Sequence, residues 1–133
     1  MILCDTGPLI VLLNRRDVDH AACLQVFRST KPPLITTWAC MAEAMHLLGR
    51  RFGFPVQNDL WSMIATGHLI IHQHGAHDWR RMRHLMQKYQ NVPMDLADAS
   101  LVAAAESLDL TRIFTLDADF RIYRVHGTIP FDI

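Results

Sequence analysis

Apolar positions in this chain fall into short continuous runs separated by longer segments of helical spacing. Met1 to Asp5 reads as a short buried strand, followed by the turn-like Thr6-Gly7-Pro8 and a short helix from Leu9 to Asn14. Asp17 is placed to cap a helix running to about Ser29, which Lys31-Pro32-Pro33 breaks. Leu34-Ile35-Thr36 reads as a strand, and Thr36 or Thr37 caps a helix that Phe52-Gly53 stops. Pro55 suits the first turn of a further helix ending near Thr66. His68 to Gln73 predicts a strand, Ala76 to Tyr89 an amphipathic helix, and Asp95 to Leu108 an apolar helix behind Asn91-Val92-Pro93. Arg112 to Leu116 predicts the next strand and Thr128 to Ile133 a last one.

Short strands that are apolar throughout, alternating with helices, imply a parallel sheet covered on both faces. The expected fold class is therefore α/β: four to five short parallel strands sandwiched by helices, with residues 1–133 forming one domain. Right-handed crossovers align the strand C-terminal ends on one edge, and in open α/β sheets sites form there, where strand order reverses. Asp5 and Asp117 both stand at strand C-terminal ends and are expected to point into that crevice.

Composition narrows the field. Half the residues are hydrophobic and a fifth charged, the balance of an ordinary globular chain, and 133 residues bury roughly two thirds of their unfolded surface. Net charge is zero, so nucleic-acid binding would need a local basic patch. Cys4, Cys23 and Cys40 are odd in number and lack C-x-x-C spacing, which argues for reduced thiols in a cytosolic protein. The apolar start carries Asp5 and Pro8 without a basic flank, so neither a signal peptide nor a membrane span is expected.

Five acids sit where carboxylates are expensive. Asp5 closes an apolar run, Glu43 lies inside a helix on the face of Ala39, Cys40 and Leu47, and Asp98 opens a nearly all-apolar helix. Asp117 and Asp119 follow directly on a strand, one read as a ligand and the other as a helper or turn residue. Asp95 is the better N-cap for its helix, which leaves Asp98 free for chemistry. Partly buried carboxylates cost several kcal/mol unless something positive meets them, and no local Lys or Arg suffices. Each acid also has a plainer reading: Glu43 paired with Arg50, Asp98 favoured by the helix dipole, the loop aspartates solvated. Together they favour a hard divalent cation, Mg²⁺ or Mn²⁺, and phosphodiester hydrolysis. No phosphate-binding glycine loop is present.

The segments Asp5-Thr6-Gly7-Pro8-Leu9-Ile10, Glu43, Met94-Asp95-Leu96-Ala97-Asp98-Ala99 and Thr115-Leu116-Asp117-Ala118-Asp119-Phe120, in that order, resemble those of PIN-domain ribonucleases. They are similar in particular to the VapC-type toxins of toxin–antitoxin pairs. The resemblance implies a Mg²⁺-dependent endoribonuclease with Asp5 and Asp98 as main metal ligands, joined by Glu43 and Asp117. It gives Thr6 and Thr115 a supporting role and leaves Asp95 and Asp119 at more variable positions. It also implies an RNA substrate and a cognate antitoxin partner.

Other signals are weaker. His72, His74 and His77 lack a fourth zinc ligand at suitable spacing, and Glu43-x-x-His46 lacks the second copy a di-iron site needs. On the helix from Ala76, Trp79, Met82, Met86 and Tyr89 form a core stripe and the arginines a solvated face. Arg50 and Arg51 are better placed to meet substrate phosphates. The run Leu9-Ile10-Val11-Leu12-Leu13 exceeds what a short element needs, so part of it is expected at an antitoxin groove or a homodimer interface. The competing readings are a nuclease of the same fold without an antitoxin, and a catalytically silent acidic pocket that binds protein.

Overall fold

Alternate residues of the inner strands enter two different cores, one on either face of a four-stranded parallel sheet. In β1 (Ile2–Cys4), Leu3 packs with one core while Ile2 and Cys4 pack with the other. The computed structural model describes all residues 1–133. After β1 come α1 (Thr6–Leu12), α2 (His20–Ser29), β2 (Leu34–Thr37), α3 (Trp38–Phe52) and α4 (Phe54–Ala65). Next follow β3 (Leu69–His72), α5 (Trp79–Lys88), α6 (Leu96–Leu108), β4 (Ile113–Phe114) and a 3-10 turn at Ala118–Arg121. A short antiparallel pair, β5 (Arg124–Val125) and β6 (Ile129–Pro130), ends the chain.

The main sheet has the order β3-β2-β1-β4. The chain steps outward from β1 to β3 and then returns to the other side of β1, so strand order reverses between β1 and β4. Asp5 follows one of these strands and Thr115 to Asp117 follow the other. The topology thus creates the crevice in which α/β sheets hold their ligands. Burial of both faces accounts for the unbroken apolar runs of the strands.

Several boundaries differ from those the sequence predicts, each for a local reason. The first helix starts at Thr6 rather than Leu9, because Asp5 caps it and Pro8 falls in its first turn, where no N–H is needed. The second starts at His20 rather than after Asp17, whose carboxylate instead accepts from the Asp19 N–H in a local turn. α5 begins at Trp79, which is half exposed, and buries Leu85 in place of the expected tryptophan, while Tyr89, just past the helix, is buried as expected. The last segment pairs with β5, and only the Arg112–Asp132 bridge runs beside β4. Gly53, at φ 80°, ends α3 and starts α4 in a backbone conformation other residues avoid.

Two buried hydroxyls lock α6 onto the sheet. Thr37 Oγ1 lies 2.6 Å from Ser100 Oγ and also accepts from the Cys40 N–H as the cap of α3. Thr37→Val keeps the shape but removes both interactions. It is expected to lower stability by about 1–3 kcal/mol, measured by urea unfolding.

Candidate metal centre

Asp5 arrives at the sheet edge from β1 with both oxygens engaged. Oδ1 accepts from the Thr6 N–H at 2.7 Å, which caps α1, and Oδ2 accepts from the Thr115 hydroxyl at 2.8 Å. Thr115 Oγ1 in turn accepts from the Asp117 N–H at 3.0 Å, so one hydroxyl ties the ends of β1 and β4 together and sets the loop bearing the second acid. Asp117 Oδ1 accepts from the Asp119 N–H at 2.9 Å, closing the 3-10 turn. Asp98 comes from the first turn of α6, whose N-cap is Asp95, accepting from the Asp98 N–H at 2.8 Å.

These elements bring one oxygen each of Asp5, Asp98 and Asp117 within 4.8 Å of one another. Asp5 and Asp98 are buried, and Asp117 is more open to solvent. The open cavity around them, about 430 Å³, is lined by ten residues, five of them acidic and none basic. None of the five is in an ion pair; the chain's ion pairs are Arg81–Glu106 and His126–Asp109. Burial pushes Asp98 up to about 7, and the nearby Asp95, Asp5 and Asp117 charges push in the same direction. Burial likewise raises Asp5, against the hydrogen bonds from Thr115 and Thr6. A donor set of carboxylate oxygens alone, short of positive charge, fits a hard divalent cation such as Mg²⁺ or Mn²⁺.

Glu43 lines the same cavity but stands outside the three-carboxylate group. Its side chain is exposed, because α3 buries Cys40, Met41, Ala44 and Leu48 and leaves the face of Glu43 and Leu47 open. Partial desolvation of the carboxyl at the cavity wall, then the charges of Asp95 and Asp5, raise its pKa despite that exposure. Asp95 also lines the cavity while serving as a cap. Asp119 contributes a backbone donor rather than a lining side chain. Arg50 and Arg51 lie in the last turn of α3, about 10 Å along the helix beyond Glu43, and neither lines the cavity.

Two details go beyond the sequence reading, the first at Thr6, expected there in a supporting role, and the second at a residue it missed. Thr6 Oγ1 is buried beside the carboxylates without a hydrogen-bond partner. Tyr123, fully buried, donates its hydroxyl to Asp98 Oδ2 at 2.9 Å. Tyr123 lies outside every strand and helix, where no periodicity marks it.

A parallel sheet with acids converging at its switch point defines an α/β fold with an acidic crevice. The PIN domain family model matches residues 2–125, and the chain belongs to that family. It is 26% identical over 116 residues to ribonuclease VapC26 of Mycobacterium tuberculosis, covering 87% of this chain and 86% of that protein. The crystal structure of Mycobacterium tuberculosis VapC20, described as a sarcin–ricin loop cleaving toxin, superposes with a TM-score of 0.82. That likeness, at 18% identity, covers 90% of this chain and 92% of the other and shows the shared fold.

A carboxyl raised in the folded state favours folding where it is protonated. That contribution is lost as pH rises from the ordinary carboxylate range through about 7. In metal-free protein Asp98→Asn removes the penalty, so its stability relative to wild type is expected to grow between pH 5 and pH 8. Urea unfolding at both pH values checks the sign; a difference that shrinks with pH would contradict it.

Proposed function

We propose that this chain is a divalent-cation-dependent endoribonuclease that acts in the cytoplasm as the toxin of a toxin–antitoxin pair. The observation that carries this reading is the group of three carboxylates, from three separate elements, at the switch point of a PIN fold. The VapC relatives support ribonuclease chemistry and the toxin role.

In this reading Asp5, Asp98 and Asp117 hold the cation, with Glu43 completing the catalytic set. Bound there, Mg²⁺ or Mn²⁺ supplies positive charge that acidifies water and offsets charge developing on the phosphate. Thr115 and Thr6 keep Asp5 in place, and the Asp119 N–H fixes Asp117. Glu43, outside the triad and raised in pKa, takes the proton from the attacking water at its carboxylate. The water oxygen forms the new bond to phosphorus as the P–O bond to the leaving nucleotide breaks. The cavity is open, which suits a phosphodiester in a single-stranded or loop RNA.

The expected assay result is cleavage of single-stranded RNA that EDTA abolishes and Mg²⁺ or Mn²⁺ restores. Asp98→Asn is expected to lower the rate by more than about a hundredfold, since even residues that only orient metal ligands cost 10–100-fold. Equal activity in EDTA, or full activity of the variant, would refute the mechanism.

Restraint by a partner follows from the same reading. Leu9 and Val11 are spent on the core, whereas Leu12 and Leu13 line an apolar groove of about 260 Å³ with Leu24, Phe27 and Met63. An antitoxin helix would lay its apolar face there, and a basic residue of its tail would neutralise the acids. A homodimer is the expected assembly. Expression of the chain alone is expected to arrest growth and the product of a neighbouring small gene to rescue it in a stable complex. Harmless expression of folded wild-type chain would point to a nuclease without an antitoxin.

A further inference from the structure

We propose that Tyr123 is a positioning residue for the metal centre, its hydroxyl holding one oxygen of Asp98 so that the other faces the cation. This rests on the metal-dependent reading above. The phenol is fully buried and its O–H has Asp98 Oδ2, at 2.9 Å, as hydrogen-bond partner. The ring cannot swing away. Tyr89 packs edge-on against it at 5.1 Å and 67°, and Phe120 at 5.1 Å and 87°.

The backbone beneath it is fixed as well. Arg124 Nη1 donates to the carbonyls of Arg121, Ile122 and Tyr123, and these three bonds hold the turn independently of the Tyr89 hydroxyl, which accepts only from the Arg124 N–H beyond it. An aspartate's terminal torsion is otherwise soft, with a broad range of carboxylate orientations. One strong donor at Oδ2 removes that freedom and leaves Oδ1 for a ligand. The bond also joins two parts of the site, because the segment that carries Tyr123 continues from the turn that carries Asp117, while Asp98 belongs to α6. The two carboxylates thereby share one rigid mount before any cation arrives.

A merely structural tyrosine would contribute to folding and leave metal affinity alone. The test is calorimetric titration of Mn²⁺ into wild type, Tyr123→Phe and Tyr89→Phe. Tyr123→Phe is expected to weaken binding about 10–100-fold, the usual effect of removing a group that orients a metal ligand. Tyr89→Phe removes a hydroxyl from the same aromatic cluster and is expected to leave affinity unchanged. Wild-type affinity in Tyr123→Phe would overturn the proposal while leaving the metal-dependent reading intact. Absence of Mn²⁺ binding by wild type would overturn both.

A second measurement avoids dependence on the folding of Tyr123→Phe. The chain has two tyrosines, so in Tyr89→Phe a ¹³C-tyrosine spectrum reports Tyr123 alone. Mg²⁺ is expected to shift its Cζ resonance at the stoichiometry found by calorimetry. An unmoved resonance in protein that binds the ion would overturn the proposal.

Discussion

Mutual repulsion among carboxylates gathered in one crevice is the constraint to which the rest of this structure answers. Buried like charges cost free energy in the absence of a counter-ion. The fold offsets part of that cost with hydrogen-bond donors rather than with basic side chains. Asp5 receives a backbone N–H and a threonine hydroxyl, Asp98 a phenol, and Asp117 a backbone N–H. What is still missing is positive charge, and the folded chain leaves an open cavity beside the carboxylates. A basic side chain in the cavity would stabilise the protein and fill the space that a cation would take.

Much of this was legible in the sequence because the sheet is parallel. Apolar strands buried on both faces stand out as runs, and a polar residue that ends such a run, as Asp5 does after Cys4, lies at the functional edge. Asp98 could be read because Asp95 already supplies the cap, so a second acid in the same turn needs another explanation. Glu43 was less legible. A helical wheel groups it with Ala39, Cys40 and Leu47, but does not say whether another element covers that face. Here α3 buries the neighbouring stripe instead, and Leu47 is exposed.

The features that escaped notice are short and non-periodic. The 3-10 turn, the two-residue strands β5 and β6, and Tyr123 between them carry no repeat long enough to register. Their order comes from tertiary partners: Phe120, Tyr123, Val125 and Phe131 all enter the core on the α6 side of the sheet. Trp79 illustrates the converse error. Its spacing with Met82 and Met86 predicts burial, yet it opens α5 and stays half exposed, while Leu85 takes the inward place.

The three converging carboxylates also impose an order in time. Asp5 is made well before Asp98 and Asp117, which follow it by 93 and 112 residues. β1 gains β4 as a neighbour only after α6 has been made, because β4 is the last strand of the main sheet in chain order. A nascent chain therefore carries Asp5 and then Glu43 before Asp95, Asp98 and Asp117 are added to the crevice. The three-carboxylate group is complete only once β4 and the turn after it have been made, so no shorter nascent chain holds it.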